Sequence, residues 1–125
     1  MAPRFEQQVP TGGEPVIQGY DRGGFRVSGQ RYEGGVLVTP TRAVAWPIAT
    51  LDDMTAADFD AIGDEAVEVI LLGTGATLRR PTKALVEALR ERGYAVEPMD
   101  SKAAARTYGI LAGEGRLVAA ALLPL

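Results

Sequence analysis

The sequence predicts an α/β domain, and three observations carry that reading. The first half alternates short apolar pieces with glycine-rich turns. The second half sets a near-continuous apolar run before a stripe of apolar residues at helical spacing, and then repeats the pattern. The chain finishes on a further apolar segment. Strand-like and helix-like periods in this order imply a sheet with helices packed on it. At 125 residues the chain has room for one domain with a real core.

Residues 1–15 hold Pro3, Pro10, Gly12, Gly13 and Pro15 and are expected to form a loosely held arm, leaving 16–125 as the domain proper. From Val16 to Pro47 the pattern predicts an antiparallel β meander with strands at 16–20, 25–27, 31–32, 36–39 and 43–46. Asp21-Arg22-Gly23-Gly24 and Ser28-Gly29-Gln30 have hairpin chemistry, because glycine supplies positive φ at little cost. Trp46, the only tryptophan, is expected to anchor the meander on the core. Thr55-Ala56-Ala57-Asp58 fits a capping box and opens a short helix over 55–63, with Phe59 and Ile62 on its apolar side.

Val67-Glu68-Val69-Ile70-Leu71-Leu72 suits a central strand covered on both faces. A loop follows over 73–78, and Pro81 falls where a first helical position is expected. Leu85, Val86 and Leu89 make the helical stripe, Gly93 closes it, and Lys83 can pair with Glu87 on the wet side. A strand at 94–97 comes next. Asp100 or Ser101 caps a third helix in which Ala104, Tyr108 and Leu111 share a face, and Gly113 and Gly115 end it. The apolar run 117–123 is a buried strand. Strand, helix, strand implies a parallel pair joined by a crossover.

Composition excludes several kinds of chemistry. There is no cysteine and no histidine, so thiolate nucleophiles, a Ser-His-Asp triad and His-based zinc sites cannot exist. Net charge is −3 with no polybasic run, which disfavours nucleic acid as a partner. The longest apolar run is far too short to span a bilayer. The N-terminus has neither signal-peptide nor transit-peptide character. The expectation is a cytoplasmic protein with no membrane insertion, no cofactor and no metal.

Gly73-Thr74-Gly75 after a strand invites comparison with dinucleotide sites. However, Leu78 stands where the third glycine belongs, and no P-loop Gly-Lys-Ser/Thr follows. The simplest reading is a tight exit turn, and the alternative is an anion held among its N–H groups with help from Arg79 and Arg80. Asp52, Asp53, Asp58, Asp60, Asp64 and Glu65 read as caps and a solvated face rather than paired catalytic carboxylates. Lys102 and Arg106, four apart on the third helix, repel mildly unless an anion or acidic partner lies between them. The candidate contact residues are therefore Gly73, Thr74, Gly75, Thr77, Asp100, Lys102, Arg106, Thr107 and Tyr108. No residue is assigned a catalytic or metal-binding role.

Several segments, read in order, resemble a known family. They are Ile17-Gln18-Gly19-Tyr20 with Phe25-Arg26-Val27, Tyr32 to Val38, Leu71-Leu72-Gly73-Thr74-Gly75, Met99-Asp100-Ser101, Ala105 to Leu111, and Gly115 to Pro124. Together the set is similar to the Mth938-like domain family, from about residue 16 to the end. The resemblance implies a three-layer α/β fold whose central mixed sheet has one strand antiparallel to the rest, with a β-rich layer on one side. Gly109 stands where the family usually has an Asn after Thr107-Tyr108, so that side-chain bond is lost. Ala105 stands where some relatives carry cysteine, so no thiol-dependent role carries over. The family includes a mitochondrial complex I assembly factor. The resemblance thus points to a non-catalytic interaction or assembly protein serving a respiratory or membrane-associated complex, with a protein partner. The alternatives are a small-molecule or anion-binding protein or enzyme with its pocket near Gly73-Thr74-Gly75, and a homo-oligomer whose contact face is its own interface.

Overall fold

Two sheets divide the strands of this protein, in a computed structural model that describes residues 13–125. Strands β1 (Ile17–Asp21), β2 (Gly24–Val27) and β3 (Gln30–Glu33) form a three-stranded antiparallel sheet. Ser28 and Gly29 both have positive φ, at 49° and 85°, so a two-residue turn sets Val27 opposite Gln30. In the other hairpin the Asp21 carboxylate accepts from the N–H groups of Gly23 and Gly24 at 2.8 and 3.1 Å. Of the expected arm, residues 1–12 lie outside the described residues. Pro15 is buried, and the Val16 N–H donates to Ser28 Oγ at 3.0 Å.

The central sheet contains β4 (Gly35–Val38), β5 (Ala43–Trp46), β6 (Val69–Gly73), β7 (Ala95–Met99) and β8 (Val118–Leu122), in the order β5-β4-β8-β6-β7. β6 pairs in parallel with β7 and β8, whereas β4 is antiparallel to β5 and β8. Only β4 therefore runs against the other four. The antiparallel meander expected from sequence is present but splits after β3: β1–β3 form their own sheet, and the antiparallel β4–β5 pair joins the central one. Gly34, at φ 75°, lets the chain turn out of the first sheet. Val36, Leu37 and Val38 are each 0% exposed, and a strand apolar on both faces belongs inside a covered layer.

Two helices cover the central sheet from opposite sides. Ala104, Ala105, Tyr108 and Ala112 of α2 (Ser101–Gly113) pack with Val36, Val38, Leu71, Ala120 and Leu122, joined by Ile17, Phe25 and Val27 of the small sheet. Leu37, Ile70, Leu72, Ala119 and Ala121, the alternate residues of the same strands, face Leu85 and Leu89 of α1 (Lys83–Glu91). This is the three-layer arrangement with one reversed strand.

Local chemistry fixes the helix ends. Thr82 caps α1, its hydroxyl accepting from the Leu85 N–H at 3.1 Å. Pro81 consequently precedes the cap rather than opening the helix, because proline has no side-chain acceptor to offer. Glu87 pairs with Arg90 at 3.0 Å, not with Lys83 as expected. Asp100 caps α2, accepting from the Ala103 N–H at 2.8 Å. Gly93 and Gly115, both at positive φ, close α1 and α2 with paired reverse hydrogen bonds. The short helix near residue 55 is a 3-10 helix, Ala56–Ile62, where Asp58 Oδ2 accepts from the Thr55 N–H at 2.8 Å. Trp46 anchors this segment to β5. Its indole N–H donates to the Asp58 carbonyl at 2.7 Å, and its ring centroid lies 5.4 Å from that of Phe59. No helix among the described residues is long and apolar enough to cross a membrane.

Candidate functional site

The parallel strands β6, β7 and β8 deliver their carboxyl ends to one rim of the central sheet, and both α1 and α2 begin there. Ligand sites of open α/β sheets gather at such rims. Here the polar groups are largely spent on joining the chain to itself. The Ser101 hydroxyl donates to the Leu123 carbonyl at 2.7 Å and accepts from the Gly75 N–H at 2.9 Å. The Ser101 N–H donates to the Gly75 carbonyl at 2.8 Å, and the Thr74 N–H to the Met99 carbonyl at 2.9 Å. Thr74 Oγ1 donates to the Thr77 carbonyl at 2.7 Å and accepts from the Arg79 N–H at 2.9 Å. Gly73, Thr74, Gly75, Asp100 and Ser101 thus meet in a joint that ties three strand ends to the start of α2. Ser101, in the sequence no more than an alternative cap, is its centre. Its signals in the sequence are its position beside Asp100 and its place in the Met99-Asp100-Ser101 segment of the resemblance, while its two bonds cross long stretches of chain.

The remaining candidates separate by depth. Thr77 is exposed, and its carbonyl is held by Thr74. Lys102 is exposed, with its ammonium 5.9 Å from the Tyr20 ring centroid, a cation–π contact between α2 and β1. Arg106 is exposed and has no ion-pair partner among the described residues. Thr107 is half-buried. Tyr108, by sequence a core residue with its hydroxyl at the rim or else a contact residue, points inward. It is 0% exposed and its hydroxyl donates to the Thr39 carbonyl at 2.8 Å. Burial raises its pKa well above the ordinary phenol range, and the carboxylates of Glu14 and Glu65 add to the rise. A side chain so placed serves packing.

The acidic stretch is built into the scaffold. Asp52 pairs with Arg79 at 2.8 Å and Asp60 with Arg92 at 2.5 Å. Glu65 turns inward, accepting from Thr39 Oγ1 at 2.7 Å and from Arg42 Nε at 3.4 Å, while Arg42 also donates to the Ala61 carbonyl. Nothing in the sequence separates Glu65 from its acidic neighbours. Among the described residues, no group of three or more acidic side chains could hold a metal ion. A cleft of about 300 Å³ lies between α1 and β7, lined by Val86, Arg90, Gly93, Tyr94, Ala95 and Val96. Its one charged group, Arg90, is paired with Glu87.

Compared with known proteins, residues 17–123 match the family described as Protein of unknown function (DUF498/DUF598). An uncharacterized protein of Rhodobacter capsulatus is 38% identical over 125 residues, covering 100% of this chain and 94% of that protein. Human NADH dehydrogenase (ubiquinone) 1 alpha subcomplex assembly factor 3 is 33% identical over 110 residues, covering 86% of this chain; the match spans 60% of the human protein. The solution structure of a Bordetella pertussis protein, a Mth938-like domain, superposes with a TM-score of 0.77 at 30% identity, covering 93% of this chain and 89% of that one. The resemblance found in the residue pattern is therefore confirmed, with its fold.

Proposed function

This chain belongs to the DUF498/DUF598 family of proteins of unknown function, and from that premise we infer that it is a non-catalytic interaction protein. It assists assembly of a respiratory or membrane-associated complex, and it acts from the cytoplasm. The observation that carries this reading is the outer face of α2. Arg106 stands there exposed and without a counter-ion among the described residues, four residues from Ile110, which is 46% exposed. An unpaired guanidinium beside an apolar side chain on a rigid helix is the composition of a protein contact. The human relative, which is named an assembly factor, supports the same class of function. The ligand-site alternative is less favoured, because the N–H groups of Thr74, Gly75 and Ser101 already donate to protein oxygens.

The test is affinity capture of the tagged protein from its native host, with Arg106→Glu as the paired variant. The expected result is a reproducible set of complex subunits that is lost in the variant. Equal recovery from both proteins would remove Arg106 from the contact face. Recovery of the protein alone would overturn the reading. Sedimentation of both proteins separates a foreign partner from a second copy of this chain.

A further inference from the structure

The charges of α2 run against its own dipole. Lys102 stands in the first turn and Glu114 at the C-terminal cap, with no acid in the first turn and no base in the last. A helix is positive at its N-terminus and negative at its C-terminus, so each charge sits at the end that disfavours it. Asp100, at the start, is engaged by the Ala103 N–H. Glu114 is exposed and has no ion-pair partner among the described residues, while Arg116, two residues on, pairs with Glu68 at 3.4 Å.

The outer face of the helix is symmetric about Ile110. Arg106 stands four residues before it and Glu114 four residues after, and all three are exposed. The Glu114 N–H donates to the Ile110 carbonyl at 3.2 Å, so Glu114 keeps the helical path. Four residues advance a helix by about 6 Å and turn it about 40° past one full circuit, so the three side chains follow one another in a single inclined row. Gly113 shares this face, and a Cβ built on it would meet nothing within 4 Å, which leaves room for another backbone to approach. Lys102, one turn earlier, lies over the Tyr20 ring at 5.9 Å and is left out of the contact.

We propose that this face pairs with the same face of a second copy, helix antiparallel to helix, with the twofold axis passing at Ile110. In such a contact, whatever one copy offers at one position the other receives at its mate, and the reverse. Reversing the row about Ile110 exchanges Arg106 for Glu114. Two Arg106–Glu114 pairs therefore form on either side of an Ile110–Ile110 contact. The pairing also sets the two helix dipoles against each other and gives each ill-placed Glu114 a cation. This self-complementarity favours a second copy over a foreign chain. One helix face is a small contact, so the dimer is reversible. The proposal rests on the reading of the α2 face as a contact surface and names what covers it in the free protein.

Sedimentation velocity of the full chain over a range of loading concentrations is the test. Expected is a reversible monomer–dimer equilibrium. Arg106→Glu and Glu114→Arg should each weaken it about tenfold or more, because one substitution places two like-charge contacts in the dimer. The double exchange, Arg106→Glu with Glu114→Arg, should return it to near the parent strength. The chain has no cysteine, so Ile110→Cys under mild oxidation should give a disulfide-linked dimer, and Arg22→Cys, exposed in the β1–β2 turn, should not. Circular dichroism of each variant checks that it is folded. A monomer at every concentration, a dimer indifferent to both single charge changes, or a double exchange no stronger than either single change would each overturn the pairing. Affinity capture separates the two levels of inference. A monomeric parent that recovers complex subunits overturns the pairing and leaves the interaction reading standing. A dimer restored by the double exchange, in a protein that recovers no subunits, upholds the pairing and overturns the assembly role.

Discussion

Ser101 stands directly over Gly73: a Cβ built on Gly73 would lie 2.8 Å from Ser101 Oγ, 2.9 Å from Ser101 Cα and 2.9 Å from Leu122 Cδ2. The first turn of α2 rests on the backbone of β6, and glycine is what allows that approach.

Gly73→Ala should accordingly force α2 outward. Overpacking of this kind costs about 1–3 kcal/mol. Urea unfolding should show a lower midpoint with an unchanged slope. A midpoint equal to that of the parent protein would mean that the first turn of α2 gives way freely.

Ser101→Ala leaves the Gly75 N–H and the Leu123 carbonyl without the partner each now has, in a buried joint. Each unsatisfied buried group costs about 1–3 kcal/mol. The loss should exceed that of Thr82→Ala, which removes an exposed cap worth ~1 kcal/mol. Paired urea titrations of the two variants give the comparison.

Tyr108 governs behaviour at high pH. Its folded pKa is raised above the unfolded value of 10.0, so the native chain binds the phenol proton more tightly than the unfolded one. The stabilisation is complete below pH 10.0 and is lost as pH climbs from there through the folded pKa. Circular dichroism under alkaline titration should show Tyr108→Phe unfolding less steeply above that point. At neutral pH the same variant loses the hydrogen bond to Thr39, about 1 kcal/mol.

Asp21 governs a smaller effect at low pH. Hydrogen bonds from Arg31 and then from the Gly23 N–H lower its pKa from 3.8 to about 2. Its contribution is present above 3.8 and is lost as pH falls from there through about 2. The group is fully exposed, so the effect should be small and should shrink with added salt. An NMR titration of the Asp21 carboxyl should show the depressed midpoint, and Arg31→Gln should return it toward 3.8.

Features fixed by neighbours in sequence are legible in the residues alone. The Ser28-Gly29 turn, the Asp100 cap, the Gly93 and Gly115 stops and the two-sided burial of β6 all follow from local chemistry. Features fixed across the chain are not. Whether β4 stays with β3 or joins β8 depends on which strand edge is open, and β8 lies at the far end of the chain. The Ser101 hydroxyl reaches a residue 22 positions away, and the Tyr108 hydroxyl one 69 positions away. Helical spacing places Tyr108 on an apolar face yet leaves it open to contact, and only the Thr39 carbonyl decides that the ring is inward. The same spacing selects Leu111, where the structure buries Ala105 and Ala112 more deeply.

The position of β8 bears on how the chain comes off the ribosome. Val118–Leu122 is the last strand in sequence but sits between β4 and β6. Until it emerges, each of those two strands has an open edge of unpaired N–H and C=O groups beside apolar side chains. At a synthesis rate of roughly 5–20 residues per second, the nascent chain must carry this gap until nearly the whole domain has been made. Closure is then a single late insertion that seals both edges at once, and long-range pairing of this kind is slow. A nascent chain stalled before residue 118 should therefore need a chaperone in a way that the finished one does not.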